Sequence, residues 1–207
     1  MPLAIWTPNL IIMNTQQQIE QIIADSIAVK RQILETPHLT ETIAIVADLC
    51  TTALKNGKKI LFCGNGGSAA DAQHLAAEFS GRFYYDRPPL YAEALHVNTS
   101  YMTAVANDYS YDEVYSRLLQ AKGRAGDVLF AISTSGNSSN ILRALDTANQ
   151  LEMDTIGMTG ATGGKMAVRC RYLFKVPSGD TPRIQESHIL IGHIICQLVE
   201  ERLFPRG

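Results

Sequence analysis

From Lys59 onward the chain alternates short apolar runs with amphipathic stretches, and this alternation limits the possible folds more than any other feature. Ile60-Leu61-Phe62-Cys63 predicts a buried strand, followed by Gly64-Asn65-Gly66-Gly67 and a helix over 68–79. Further strands are predicted over 92–97, 127–132, 155–158 and 172–176. Between and after them lie a Tyr-rich helical region at 101–122, a helix at 138–151 and a final helix at about 182–203. Apolar strands separated by helices belong to a mainly parallel sheet covered on both faces. The expected fold is therefore α/β and doubly wound. Ahead of it, Ile19, Ile22, Ile23, Ile27 and Val29 keep a roughly helical spacing from Thr15 to the Thr36-Pro37 break, and a second helix over 39–54 ends near Gly57. No long polar linker intervenes, so the 207 residues read as a single domain, with N-terminal helices over 15–56 and an α/β core over 59–203.

The net charge of −2 gives no general attraction to nucleic acid or an anionic membrane. Any anion must therefore be met by local geometry. Cys50, Cys63, Cys170 and Cys196 are widely spaced without a C-x-x-C pair, and three lie in apolar runs. They read as reduced core residues rather than a disulfide framework or a zinc cluster. The stretch 1–13 is apolar but has two prolines and no basic segment, unlike a signal peptide, and Met13 is an alternative start. The apolar run over 189–199 is far shorter than a bilayer span and contains His193. A soluble, intracellular protein is expected.

In doubly wound sheets, ligands bind beyond the carboxyl ends of the strands, where the strand order reverses. With the order 2-1-3-4-5, the loops at 64–68 and 133–138 flank that crevice. The second, Ser133-Thr134-Ser135-Gly136-Asn137-Ser138, sets four hydroxyls between a buried strand and a helix. Small residues let the backbone come close to a ligand, and the helix N-terminus offers unpaired N–H groups to an anion. Neutral donors of this kind hold a phosphate without a lysine. Helix capping would account for Ser138 but not for Ser-Thr-Ser at the strand end.

The first loop, Gly64-Asn65-Gly66-Gly67-Ser68-Ala69, satisfies G-x-G-x-x-A. A dinucleotide site also needs an acidic residue about 20 positions on, closing the second strand. There the chain has His96-Val97-Asn98. Thr159-Gly160-Ala161-Thr162-Gly163-Gly164-Lys165-Met166 also falls short of a P-loop, lacking the first Gly and the hydroxyl that serves Mg²⁺. The first loop reads instead as a glycine turn that brings backbone amides close to a sugar, with Ser68 capping the helix toward Asp71.

His74 and Glu78, four apart, project from one helical face about two turns beyond the glycine loop. Such a pair can share a metal or do acid/base work, and is also a common surface pairing. The last helix carries Arg183, Gln185, Glu186, His188 and His193. Gln185 and His193 lie about 80° apart around it, and Glu186 aligns with His193 more closely, so spacing does not select Gln185. His193, inside Ile191-Gly192-His193-Ile194-Ile195, reads equally as a core histidine or a ligand.

Taken together, Gly64-Asn65-Gly66-Gly67-Ser68, Asp71-Ala72-Gln73-His74, Glu78, Asn107-Asp108, Ile132 to Ser138 and Arg183-Ile184-Gln185-Glu186 resemble the sugar-isomerase (SIS) domain proteins. Within them the set is most similar to the phosphoheptose isomerases, over roughly 59–203. The resemblance implies a flavodoxin-like, five-stranded SIS fold and a cytoplasmic homotetramer with active sites at subunit interfaces. It implies conversion of sedoheptulose 7-phosphate to D-glycero-D-manno-heptose 7-phosphate, toward the heptose of lipopolysaccharide cores. By position it implies one zinc ion per subunit on His74, Glu78, Gln185 and His193, with Glu78 and His193 also the acid/base pair. Ser133, Thr134, Ser135 and Ser138 correspond to phosphate binders. Asn65, Gly66, Gly67, Ser68, Glu78, Asn107, Asp108 and Gln185 correspond to further substrate contacts. The metal and base roles of Glu78 compete, because a tightly ligated carboxylate is a poorer base. A related class of SIS proteins is non-enzymatic and binds the bacterial replication initiator. Glu78, His193 and the uninterrupted Ser133-Thr134-Ser135 favour the enzyme, and an isomerase of another sugar phosphate is the third reading.

Overall fold

The computed structural model describes residues 14–206, so the expectations for 1–13 lie outside the described residues. Helices α1 (Thr15–Leu34) and α2 (Pro37–Lys55) come first. Asn14 opens α1 with a reciprocal capping box to Gln17, and Pro37 starts α2, where its missing N–H costs nothing. The alternating part follows as β1 (Ile60–Gly64), α3 (Gly67–Ser80), β2 (Ala92–Ala94), α4 (Thr99–Asp108), α5 (Val114–Lys122), β3 (Val128–Ile132), α6 (Ser139–Gln150), β4 (Asp154–Thr159), β5 (Tyr172–Lys175) and α7 (Thr181–Leu203).

All five strands pair in parallel, in the order β2-β1-β3-β4-β5, as the alternation required. The order reverses between β1 and β3, so the two unusual loops do flank the switch point. Side chains along each central strand alternate between two cores. Ile60, Phe62, Val128, Phe130 and Ile132 join α2, α3 and α7 on one face, while Leu61, Cys63, Leu129 and Ala131 join α5 and α6 on the other. Phe62 stacks on Phe130 at 5.0 Å and Phe79 lies 6.1 Å away, fixing α3 over the sheet. Cys50, Cys63 and Cys196 are buried and all four thiols are free, as expected.

Two expectations need correction. Ser68 does not cap α3: the helix starts one residue earlier, Gly66 is its cap residue at φ +55°, and Ser68 is buried in the first turn. A left-handed cap suits glycine and leaves no role for a side chain. The helical region at 101–122 is also broken, by a 3₁₀ turn at Tyr111–Glu113 whose start Ser110 caps through Asp112 N–H.

Candidate active site

The hydroxyl loop leaves β3 and enters α6 within six residues. Gly136 turns it at φ +65°, and a Cβ there would collide with the Gly163 carbonyl, so only glycine fits. The loop after β4 braces it from outside: Gly160 N–H donates to Thr134 O at 2.9 Å, Lys165 N–H to Asn137 Oδ1 at 3.0 Å and Met166 N–H to Gly136 O at 3.1 Å. The near-miss phosphate loop of the sequence therefore serves as a support for the true hydroxyl loop. Ser138 starts α6 without a side-chain cap bond, and its hydroxyl lies 3.1 Å from that of Ser133. Ser135 Oγ sits 3.5 Å from Ser133 Oγ and accepts from Asn137 N–H at 3.2 Å. Three hydroxyls thus converge beside the unpaired N–H groups of α6. Thr134, Ser135, Asn137, Thr162 and Ile184 line a cleft of about 320 Å³ beside the loop.

Across the switch point, Asn65 and Asn140 exchange two amide hydrogen bonds of 2.9 Å each, and Tyr111 donates its hydroxyl to Asn65 Oδ1 at 3.1 Å. Buried Tyr115 donates to the Gly64 carbonyl. The glycine turn is thereby tied to both α6 and the segment after α4. Asn140 and Tyr111 were not singled out by the sequence. The available signal was an Asn at an apolar position of α6, beside Ile141, Ala144 and Ala148.

Helices α3 and α7 run side by side in the same direction, with a glycine of each at the contact. A Cβ on Gly192 would strike both methyls of Leu75, and a Cβ on Gly67 would strike the Gln185 amide. This close approach brings His193 Nε2 within 3.2 Å of His74 Nε2, which lies 3.0 Å from Glu78 Oε1. The three donor atoms all lie within 4.8 Å of one another. Burial first, then the neighbouring His74, pushes the His193 pKa down, while Glu78 opposes. Burial raises the carboxyl of Asp71 to about 6, with His74 drawing it down. Gln185 rests its amide against Gly67, about 12 Å along α7 from His193 at 1.5 Å per residue. Glu186, the alternative by spacing, is taken up by Arg183, at 2.9 Å, and by Ser26 of α1, at 2.6 Å. Asn107 and Asp108 are exposed at the end of α4, their side chains 2.9 Å apart and bonded to each other.

The SIS domain family matches residues 21–160 of this chain. The phosphoheptose isomerase of Aneurinibacillus thermoaerophilus is 56% identical over 186 residues, covering 90% of this chain and 94% of that protein. The chain belongs to the phosphoheptose isomerase family. Solved phosphoheptose isomerases share its fold: that of Neisseria gonorrhoeae has a TM-score of 0.85 at 43% identity, covering 91% of this chain and all of that one. That of Francisella tularensis has a TM-score of 0.87 at 35% identity over the same share of this chain and 100% of its own.

Helix α7 links the hydroxyl loop to the cluster: Ile184 lines the cleft, Gln185 touches the glycine turn, and His193 reaches the histidine–carboxylate cluster.

Proposed function

We propose that this chain interconverts sedoheptulose 7-phosphate and D-glycero-D-manno-heptose 7-phosphate, supplying the heptose of lipopolysaccharide cores from the cytoplasm, where sugar phosphates are made. The observation that carries the reading is the pairing of a hydroxyl loop at a helix start with the His74–Glu78–His193 cluster across one helix. Among the described residues no helix is long and apolar enough to cross a membrane. The replication-initiator reading gains nothing from this geometry, because a docking protein has no use for converging hydroxyls and paired imidazoles.

In this reading Ser133, Thr134, Ser135 and Ser138 hold the phosphate, assisted by the N–H groups of α6. Asn65, Gly66, Gly67, Ser68, Gln185, Asn107 and Asp108 meet the sugar hydroxyls, with Glu78 at the reacting end. Glu78 removes the proton from C1 of the ketose, the electrons form the C1–C2 enediol, and Glu78, whose proton exchanges with water, delivers a proton to C2. His193 moves a proton from the C1 oxygen to the C2 oxygen, so that the aldose forms without net gain or loss. Without a metal on its Nε2, burial and then His74 push its pKa down against Glu78, which favours the neutral imidazole that can accept that proton.

The donor set suits zinc. Zinc binds imidazole nitrogen at about 2.0–2.1 Å in a tetrahedron, which separates two ligand nitrogens by about 3.3 Å. His74 and His193 hold their Nε2 atoms 3.2 Å apart, close to that edge. His74, Glu78 and His193 would hold the ion, and Gln185 would have to swing its amide off the glycine turn to add a fourth donor. Bound there, zinc supplies Lewis-acid polarisation of the substrate carbonyl. Exposed Ile19, Ile22, Ile23, Ile27 and Leu34 on α1 give a face apolar enough to bury against further copies, in keeping with a homotetramer. Incubation with sedoheptulose 7-phosphate tests the reading. Turnover of a different ketose phosphate alone would leave an isomerase of another substrate. Light scattering reads the assembly, and a monomer would contradict it.

A further inference from the structure

The segment between α3 and β2 and helix α7 contribute one buried ion pair that the site has not used. Arg87 and Glu200 are 2% and 1% exposed at their side chains, with Nε and Oε1 3.0 Å apart. A buried ion pair is unfavourable unless its remaining donors and acceptors are met. Here they are met at one place. Arg87 donates to the carbonyls of Glu78 and Phe79 at 2.8 Å each, and to those of Gly81 and Pro88 at 3.1 Å each. Glu78 and Phe79 are in the last turn of α3, where carbonyls lack helical partners. Glu200 in turn accepts from the N–H groups of Phe83 at 2.9 Å and Tyr84 at 2.8 Å. Burial opposes its ionisation, but these donors and Arg87 outweigh burial and hold its pKa below the usual carboxylate range. Glu200 follows His193 by two turns on α7, so both point from one face of that helix.

We propose that Arg87, clamped by Glu200, is a positioning residue for the isomerisation, fixing the last turn of α3 so that the Glu78 carboxylate meets His193. The proposal rests on Glu78 being the reactive carboxylate. The planar guanidinium serves four carbonyls and a carboxylate on α7 at once, more acceptors than the three N–H groups of an ammonium can meet. The hydroxyl loop stands at the ends of β3 and β4 and takes nothing from this turn. Loosening the clamp should therefore slow chemistry without weakening phosphate binding.

Arg87→Lys keeps the charge that Glu200 needs and loses the fork. The expected result is a kcat about tenfold lower with KM within twofold of wild type. Zinc affinity, read by competition with a chromophoric chelator, should also fall about tenfold, as when groups behind metal ligands are removed. A kcat and zinc affinity within twofold of wild type would overturn the proposal, as would a lower melting temperature with normal turnover per folded enzyme. Hydrogen exchange in the wild-type protein provides a test that needs no variant. The Phe83 and Tyr84 amides should exchange as slowly as those of β1, and exchange at exposed-loop rates would rule out the clamp. Glu78→Gln separates the two layers. If it keeps turnover, the reactive-carboxylate reading fails and the clamp with it; if it is inactive while Arg87→Lys behaves as wild type, the clamp alone fails.

Discussion

The hydroxyl loop and the histidine–carboxylate cluster lie on the same protein but are built by opposite means. The loop is contiguous in sequence, and its shape comes from backbone: a left-handed glycine, a helix start and three N–H groups donated around it by the neighbouring loop. The cluster draws on residues 119 positions apart, and its shape comes from side chains on two helices held close where Gly192 meets Leu75. A backbone-built site tolerates loss of one hydroxyl, whereas a site built by helix packing should fail when either the reacting group or the spacing changes.

The largest break in this comparison is Glu78→Gln. On the proposed mechanism it keeps the shape of the cluster and removes the base, so kcat should fall by about 10³-fold, within the range for general acid–base groups, with KM little changed. Steady-state kinetics on the folded variant checks this. Next in size is a test of the shared helix. His188, fully buried on α7 beside the Thr159 carbonyl, has its pKa pushed by burial down to about 4, against 6.5 for a free histidine. Above pH 6.5 both folded and unfolded chains are neutral there. As pH falls toward 4, the unfolded chain takes up a proton that the native chain refuses. Stability should therefore drop by up to about 3 kcal/mol across that window. Urea melts at several pH values should show the slope, flattened in His188→Gln.

Gly192→Ala probes the spacing itself. In an unobstructed helix this change stabilises by about 1 kcal/mol. Against Leu75, which is 1% exposed and has nowhere to go, overpacking should instead destabilise by about 1–3 kcal/mol and lower kcat as α7 moves off α3. A stabilised variant would show that the glycine does not set the gap. The smallest effect belongs to the loop: Ser135→Ala should raise KM about tenfold with kcat unchanged, the scale of one charge-assisted hydrogen bond.

The same contrast explains what the sequence disclosed. The fold was legible because five apolar strands and their helices are local patterns, and the loop was legible because Ser133 to Ser138 are neighbours. The cluster was only half legible. His74 and Glu78 share a helical face, but nothing local brings His193 to them, and helical spacing preferred Glu186, which the structure gives to α1. Asn140, Arg87 and Glu200 were missed for one reason: each looks like an ordinary polar residue until tertiary packing buries it. Gly66 displaced Ser68 as the helix cap because a left-handed turn can satisfy a helix start without a side chain.

The central claim is that the loop and the cluster act together as a sugar-phosphate isomerase through proton transfer at C1 and C2. Proton NMR of sedoheptulose 7-phosphate with the protein in deuterated water tests it directly. The wild-type protein should give the aldose, with deuterium entering at C2, and Glu78→Gln should do both about 10³-fold more slowly. A folded, zinc-loaded wild-type protein that forms no aldose, or a Glu78→Gln variant that exchanges the carbon-bound proton at the wild-type rate, would contradict the account.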